Sequence, residues 1–107
     1  MANNYKNAKV DLTTTNVTTL YTAPSATTTL IKSILVSEDS GNADTITVTI
    51  TDASAAVFSL FKVKAIGANT TLELLTQPLT VQEDEIIKVT AATANRLHVV
   101  ASLLEIT

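Results

Sequence analysis

His98 is the only histidine of the chain, and histidine is the residue type that titrates near neutrality, so acid–base chemistry would have to begin there. It stands inside an apolar stretch, between Leu97 and Val99. A nucleophilic triad needs a serine presented on a sharp turn. No G-x-S-x-G elbow exists in a sequence whose only glycines are Gly41 and Gly67. An outward or interface histidine is the plainer reading. One imidazole supplies no pair of histidine ligands, and the absence of cysteine excludes thiolate metal sites, disulfides and a cysteine nucleophile together.

Two acidic clusters invite the same question. Glu38, Asp39, Asn42 and Asp44 surround Gly41 with oxygen donors of the kind calcium prefers. Their spacing departs from an EF-hand loop, however, because the twelfth position counted from Asp39 is Ile50 and not a bidentate glutamate. A solvated turn uses the same residue types for simpler reasons. Glu83-Asp84-Glu85 reads as a polar hairpin turn, since adjacent carboxylates point apart. Asn16-Val17-Thr18 and Asn69-Thr70-Thr71 match the glycosylation spacing, yet residues 1–7 lack the apolar stretch of a secretory signal. With no phosphate-cradling glycine loop and only Tyr5, Tyr21, Phe58 and Phe61 as scattered aromatics, neither nucleotide chemistry nor base stacking is supplied. The expectation is a protein that is not an enzyme and carries no metal or other cofactor.

Thr, Val and Ile make up 38 of the 107 residues. Side chains branched at Cβ lose rotamer freedom in helices and pack well on pleated sheets, so the chain is expected to be all-β. Residues 45–51 (TITVTIT) alternate without error, with Ile46, Val48 and Ile50 on one face and four threonines on the other. Residues 28–37 (TTLIKSILVS) carry apolar side chains on both alternating sets, which predicts a strand covered on both faces. Further strands are predicted over residues 16–22, 57–64, 70–77, 86–91 and 97–106, with an eighth around 79–81. Turn signals fall between them at Ala23-Pro24-Ser25, at residues 38–44 and at Gly67-Ala68-Asn69. Seven or eight short strands at this spacing predict a single-domain antiparallel β-sandwich, jelly-roll or immunoglobulin-like, over residues 16–107. Residues 1–15, rich in Asn and Thr and without a period that buries a face, predict an extended N-terminal arm.

A chain of this length leaves about 5,700 Å² exposed when folded against about 16,000 Å² unfolded, enough burial for one core without staples. Its net charge of −3 opposes binding to phosphate backbones, so no nucleic-acid partner is expected. Its apolar runs fall far short of the roughly 20 residues that cross a bilayer, so no membrane partner is expected either. What remains is a surface of threonine ladders, strand edges and an acidic loop, suited to binding other protein copies.

The opening MANNYKNAKVDL, the segment TTLYTAPSATTTLIKSILVSEDSGNADTITVTI, the hairpin VQEDEIIKVTA and the ending VVASLLEIT together resemble small virion structural proteins of tailed bacteriophages over nearly the whole chain. Those proteins commonly place a Gly-Asp turn where this chain has Glu83-Asp84. The resemblance implies a capsid decoration (cement) protein, made in the host cytoplasm and carried in the virion. Its partners would be the major capsid protein and copies of itself, in a trimer. It also implies that the arm lies along a neighbouring strand edge through main-chain hydrogen bonds. Tyr5 and Val10, the isolated apolar side chains of the arm, would be its anchors, with Lys6 and Lys9 as further assembly contacts. The alternative within the resemblance is a tail, baseplate or fibre subunit. A carbohydrate-binding module is a more remote reading, because sugar rings stack on exposed aromatics and the chain has no tryptophan and two tyrosines.

Overall fold

Successive side chains of a strand point to opposite faces, so each stretch of this chain has one face it can bury. The computed structural model describes residues 2–107, which form nine strands: β1 (Asn3–Asp11), β2 (Thr18–Thr22), β3 (Thr28–Glu38), β4 (Asp44–Thr51), β5 (Val57–Ile66), β6 (Thr71–Glu73), β7 (Leu79–Val81), β8 (Ile86–Ala91) and β9 (Leu97–Ile106). One antiparallel sheet has the order β1-β9-β3-β6, with β7 also paired to β3, and the other has the order β2-β8-β4-β5. The pairings are nested, β4 with β5, β3 with β6 and β7, β2 with β8, and β1 with β9. A single long hairpin with its tip at residues 52–56 is thus rolled up until β3 meets β9 and β4 meets β8. That winding is a jelly roll and not an immunoglobulin-like order.

The all-β sandwich expected from composition is the fold observed. Its accessible surface of 5776 Å² matches the value expected for a compact chain of this size. The core lies between the sheets, where Ile31, Ile34, Val36, Val99, Ala101 and Leu103 of the first sheet meet Ile46, Val48, Ile87 and Val89 of the second. Strand β4 follows its alternation as far as Thr49, with Ile46 and Val48 buried and Thr45, Thr47 and Thr49 half-buried on the other face, and departs from it at its end, where Ile50 is half-buried and Thr51 buried.

Three expectations are corrected by the structure. Residues 3–11 are no detached arm; they form β1, an edge strand in continuous register with β9 from Asn3 opposite Ile106 to Asp11 opposite His98. Its inward face carries Asn4, Lys6, Ala8 and Val10, too polar a set to announce a strand by its own sequence, and together with the short β7 it brings the count to nine. Strand β3 is not covered on both faces. A bulge at Lys32, between the pairs Ile31–Leu103 and Ser33–Ser102, shifts the alternation by one residue. Ile31, Ile34 and Val36 therefore all face the core, while Leu35 is exposed and Leu30 half-buried on the outside.

The strand expected over residues 70–77 ends at Glu73. There the Glu73 carboxylate accepts hydrogen bonds from the N–H groups of Ile34 (2.8 Å) and Leu75 (3.1 Å), and Leu74 N–H donates to Ile34 O (2.9 Å). These contacts turn the chain away from the ladder until β7 resumes pairing after Pro78.

The core predicts the outcome of two substitutions. Ile46→Ala leaves a cavity between the sheets and should cost about 2–5 kcal/mol in urea unfolding, whereas Thr49→Ala on the outer face should change stability by less than about 0.5 kcal/mol.

Candidate assembly surface

The pleat of β1 divides the four expected assembly contacts into two pairs. Tyr5 and Lys9 point away from the core, and Tyr5 is 75% exposed, its ring 5.6 Å from Lys32 Nζ. Lys6 and Val10 point inward and are engaged by the chain's own fold. Lys6 Nζ lies 2.9 Å from Glu105 Oε1, and Val10 packs against the core opposite Val99. Lys6 remains half exposed beside its carboxylate, and Val10 is half-buried.

Glu105, 5% exposed, is the charged residue that fastens this edge. Its carboxylate accepts a hydrogen bond from Tyr21 Oη (2.5 Å), which crosses from the second sheet and also lies 2.6 Å from Thr29 Oγ1. The Tyr21 bond and Lys6 hold the Glu105 carboxyl below its ordinary range against the opposing effect of burial. Burial, and the neighbouring carboxylate, push the Tyr21 hydroxyl up to about 12. Both groups act as structural acceptor and donor across the sandwich.

At the opposite end, Glu38 and Asp44 are not the solvated turn residues their sequence suggests. Glu38 is 1% exposed and its carboxylate collects the N–H groups of Ser40 (2.8 Å), Gly41 (3.1 Å) and Asn69 (3.1 Å), together with the Ser40 hydroxyl. Burial opposes ionisation here, but those donors outweigh it and bring the carboxyl down to about 2. The buried Asp44 carboxylate accepts from Thr93 N–H (3.1 Å). One carboxylate therefore ties the β3–β4 loop to the β5–β6 loop, and the other ties β4 to the β8–β9 loop. Gly41, at φ +84°, takes the left-handed conformation that lets the chain wrap around Glu38.

His98 faces outward from β9 between two carboxylates, with Asp11 Oδ1 at 3.2 Å from Nε2 and Asp39 Oδ2 at 3.6 Å from Nδ1. Ser37 stands opposite His98 on β3, yet each ring nitrogen is directed at an aspartate and not at a hydroxyl. Among the described residues, no group of three or more His, Cys, Asp or Glu is arranged to hold a metal ion.

The free surfaces differ in character. Outside the second sheet run Thr45, Thr47, Thr49 and Thr90 with Lys88, a polar ladder. Outside the first sheet, Tyr5, Leu104 and Leu30 form one cross-strand row and Lys9, Val100 and Leu35 another. The largest concentration of exposed apolar side chains lies on the edge strand β5, where Val57, Phe58 and Val63 are 62%, 55% and 60% exposed. The sequence signal for this edge was its broken alternation, in which Val57-Phe58 and Leu60-Phe61 place apolar residues on both faces.

These clusters make two pH-dependent predictions. The stability contributed by Glu38 is full above about 4.5 and is lost as pH falls toward about 2, so Glu38→Gln should flatten the acid limb of stability and speed amide exchange at Gly41 and Asn69. Tyr21 favours its protonated form in the folded state, so its contribution is full below about 10 and lost as pH rises toward about 12. Tyr21→Phe should remove that alkaline loss and cost about 1–3 kcal/mol at neutral pH, measured by urea unfolding across the pH range. In comparisons with known proteins, no family model matches this chain and no curated protein is similar enough to count as a relative.

Proposed function

We propose that this chain is a virion structural protein, a capsid decoration (cement) subunit that binds the outer surface of a phage head and stabilises contacts between capsomers. The observation that supports this reading most directly is the distribution of its exposed apolar side chains. Apart from Val17 in the β1–β2 loop, they lie on the edge strands β1 and β5 and on the outer face of the first sheet, at Tyr5, Val57, Phe58, Val63, Leu35 and Val100, while the outer face of the second sheet is a threonine ladder. Such a module offers apolar contacts on the outer face of the first sheet and along the β1 and β5 edges, and a polar outer face on the second sheet, a division suited to a protein that covers another protein's surface. Its reactive groups act as structural ties: Glu38, Asp44 and Glu105 are committed to backbone and side-chain donors that fix loops and edges. The resemblance to small tailed-phage virion proteins supplies the kind of surface, and the net charge of −3 suits a water-facing position.

The second reading is a tail, baseplate or fibre subunit, which the same exposed edges would serve by forming rings. Immunogold labelling of virions of the encoding phage separates the two. Label spread over the head supports decoration, label confined to the tail or one vertex supports the second reading, and virions without label overturn both.

A further inference from the structure

Strand β5 combines exposed apolar side chains, a single sign of charge and one strained residue. It exposes Val57, Phe58 and Val63, it carries Lys62 and Lys64 with no acidic residue anywhere between Val57 and Ile66, and it holds Val63 at φ +51°. A β-branched residue in the left-handed region is strained, and such strain persists only where surrounding contacts impose it. Here the ladder with β4 is interrupted on both sides of Val48, and Val63 N–H donates to Thr47 Oγ1 (3.1 Å) in place of a strand partner. The result is an apolar side chain presented to solvent and flanked in sequence by Lys62 and Lys64.

The three loops at one end of the sandwich have the opposite character. The turn at residues 23–27, the hairpin tip at 52–56 and the turn at 82–85 contain Asp52, Glu83, Asp84 and Glu85 and no lysine or arginine. Ala23 N–H donates to Glu85 O (2.9 Å) and Asp84 N–H to Ala23 O (2.9 Å), and Thr51 pairs near Ile86, so the three loops lie together. An open groove of about 370 Å³ lined by Ala26, Thr27, Thr28, Thr80, Gln82 and Glu83 adjoins them.

We propose that β5 is a docking surface for a second copy of this chain, whose acidic loop end receives Lys62 and Lys64 while Val63 and Phe58 are covered. A two-fold pairing of β5 with β5 would bring together two edges that carry lysines and no carboxylate. The contact is therefore head-to-tail, with different patches on the two partners, the type of interface that gives a ring where its rotation closes and an open filament where it does not. It gives a surface to the self-association within the proposed function. It is tested on the purified chain alone, so a failure here leaves the virion location open, and a failure there leaves this contact standing.

Sedimentation velocity from micromolar to millimolar concentration reads the outcome. Lys62→Glu with Lys64→Glu, and separately Glu83→Lys with Asp84→Lys, should each weaken association about tenfold or more, and the four changes together should restore it. Val63→Asn supplies an independent readout, because asparagine tolerates the left-handed conformation: the monomer should unfold at higher urea while association weakens. A chain that stays monomeric throughout overturns the proposal, as does association that is indifferent to these reversals or is not restored by combining them. Unchanged circular dichroism of each variant excludes misfolding as the cause of a loss.

Discussion

The strands that build the core each have one face that can leave water, and nearly everything else in the structure follows from satisfying those faces at once. Burial of branched side chains between two sheets is the dominant favourable contribution, and it is conferred only if Ile, Val and Leu from both halves of the sequence reach the same layer. Rolling one long hairpin achieves this, because each nested pair brings an early strand beside a late one. The bulge at Lys32 belongs to the same constraint. Without it, Ile31 and Ile34 would lie on opposite faces, and one of two fully buried isoleucines would be lost to solvent.

Carboxylates buried at the ends of the sandwich do for the loops what the apolar layer does for the strands. Glu38 gathers donors from two loops that are 29 residues apart at Ser40 and Asn69, and Asp44 reaches Thr93 in a third. A charge out of water is tolerated only when its lone pairs are used, and here they are used on backbone N–H groups that turns would otherwise leave unpaired. Glu105 follows the same logic at the other end, where it connects β1 through Lys6 to the second sheet through Tyr21.

The two long edges are managed differently. β1 shields β9 with a strand made largely of Asn and Lys, a common way of blunting an edge. β5 is twisted by irregular pairing and guarded by Lys62 and Lys64, yet it leaves its hydrophobic side chains uncovered. Charge discourages indiscriminate pairing of this edge.

The amino-acid sequence by itself determined the class of this fold and most of its strands, because period-two alternation and turn residues act over a few neighbours and leave their mark locally. Strand β4 and the turn at Pro24 are plain in it. Only the tertiary structure decided that residues 3–11 join a sheet, since β1 is held by a partner 87 residues or more away and by an ion pair to Glu105. The same holds for the burial of Glu38 and Asp44, whose donors come from distant loops, and for the exposure of Val63, which depends on where the β4–β5 ladder breaks. An acidic residue in a polar stretch looks alike whether it faces water or a ring of N–H groups; the difference is made by backbone that arrives from elsewhere in the chain.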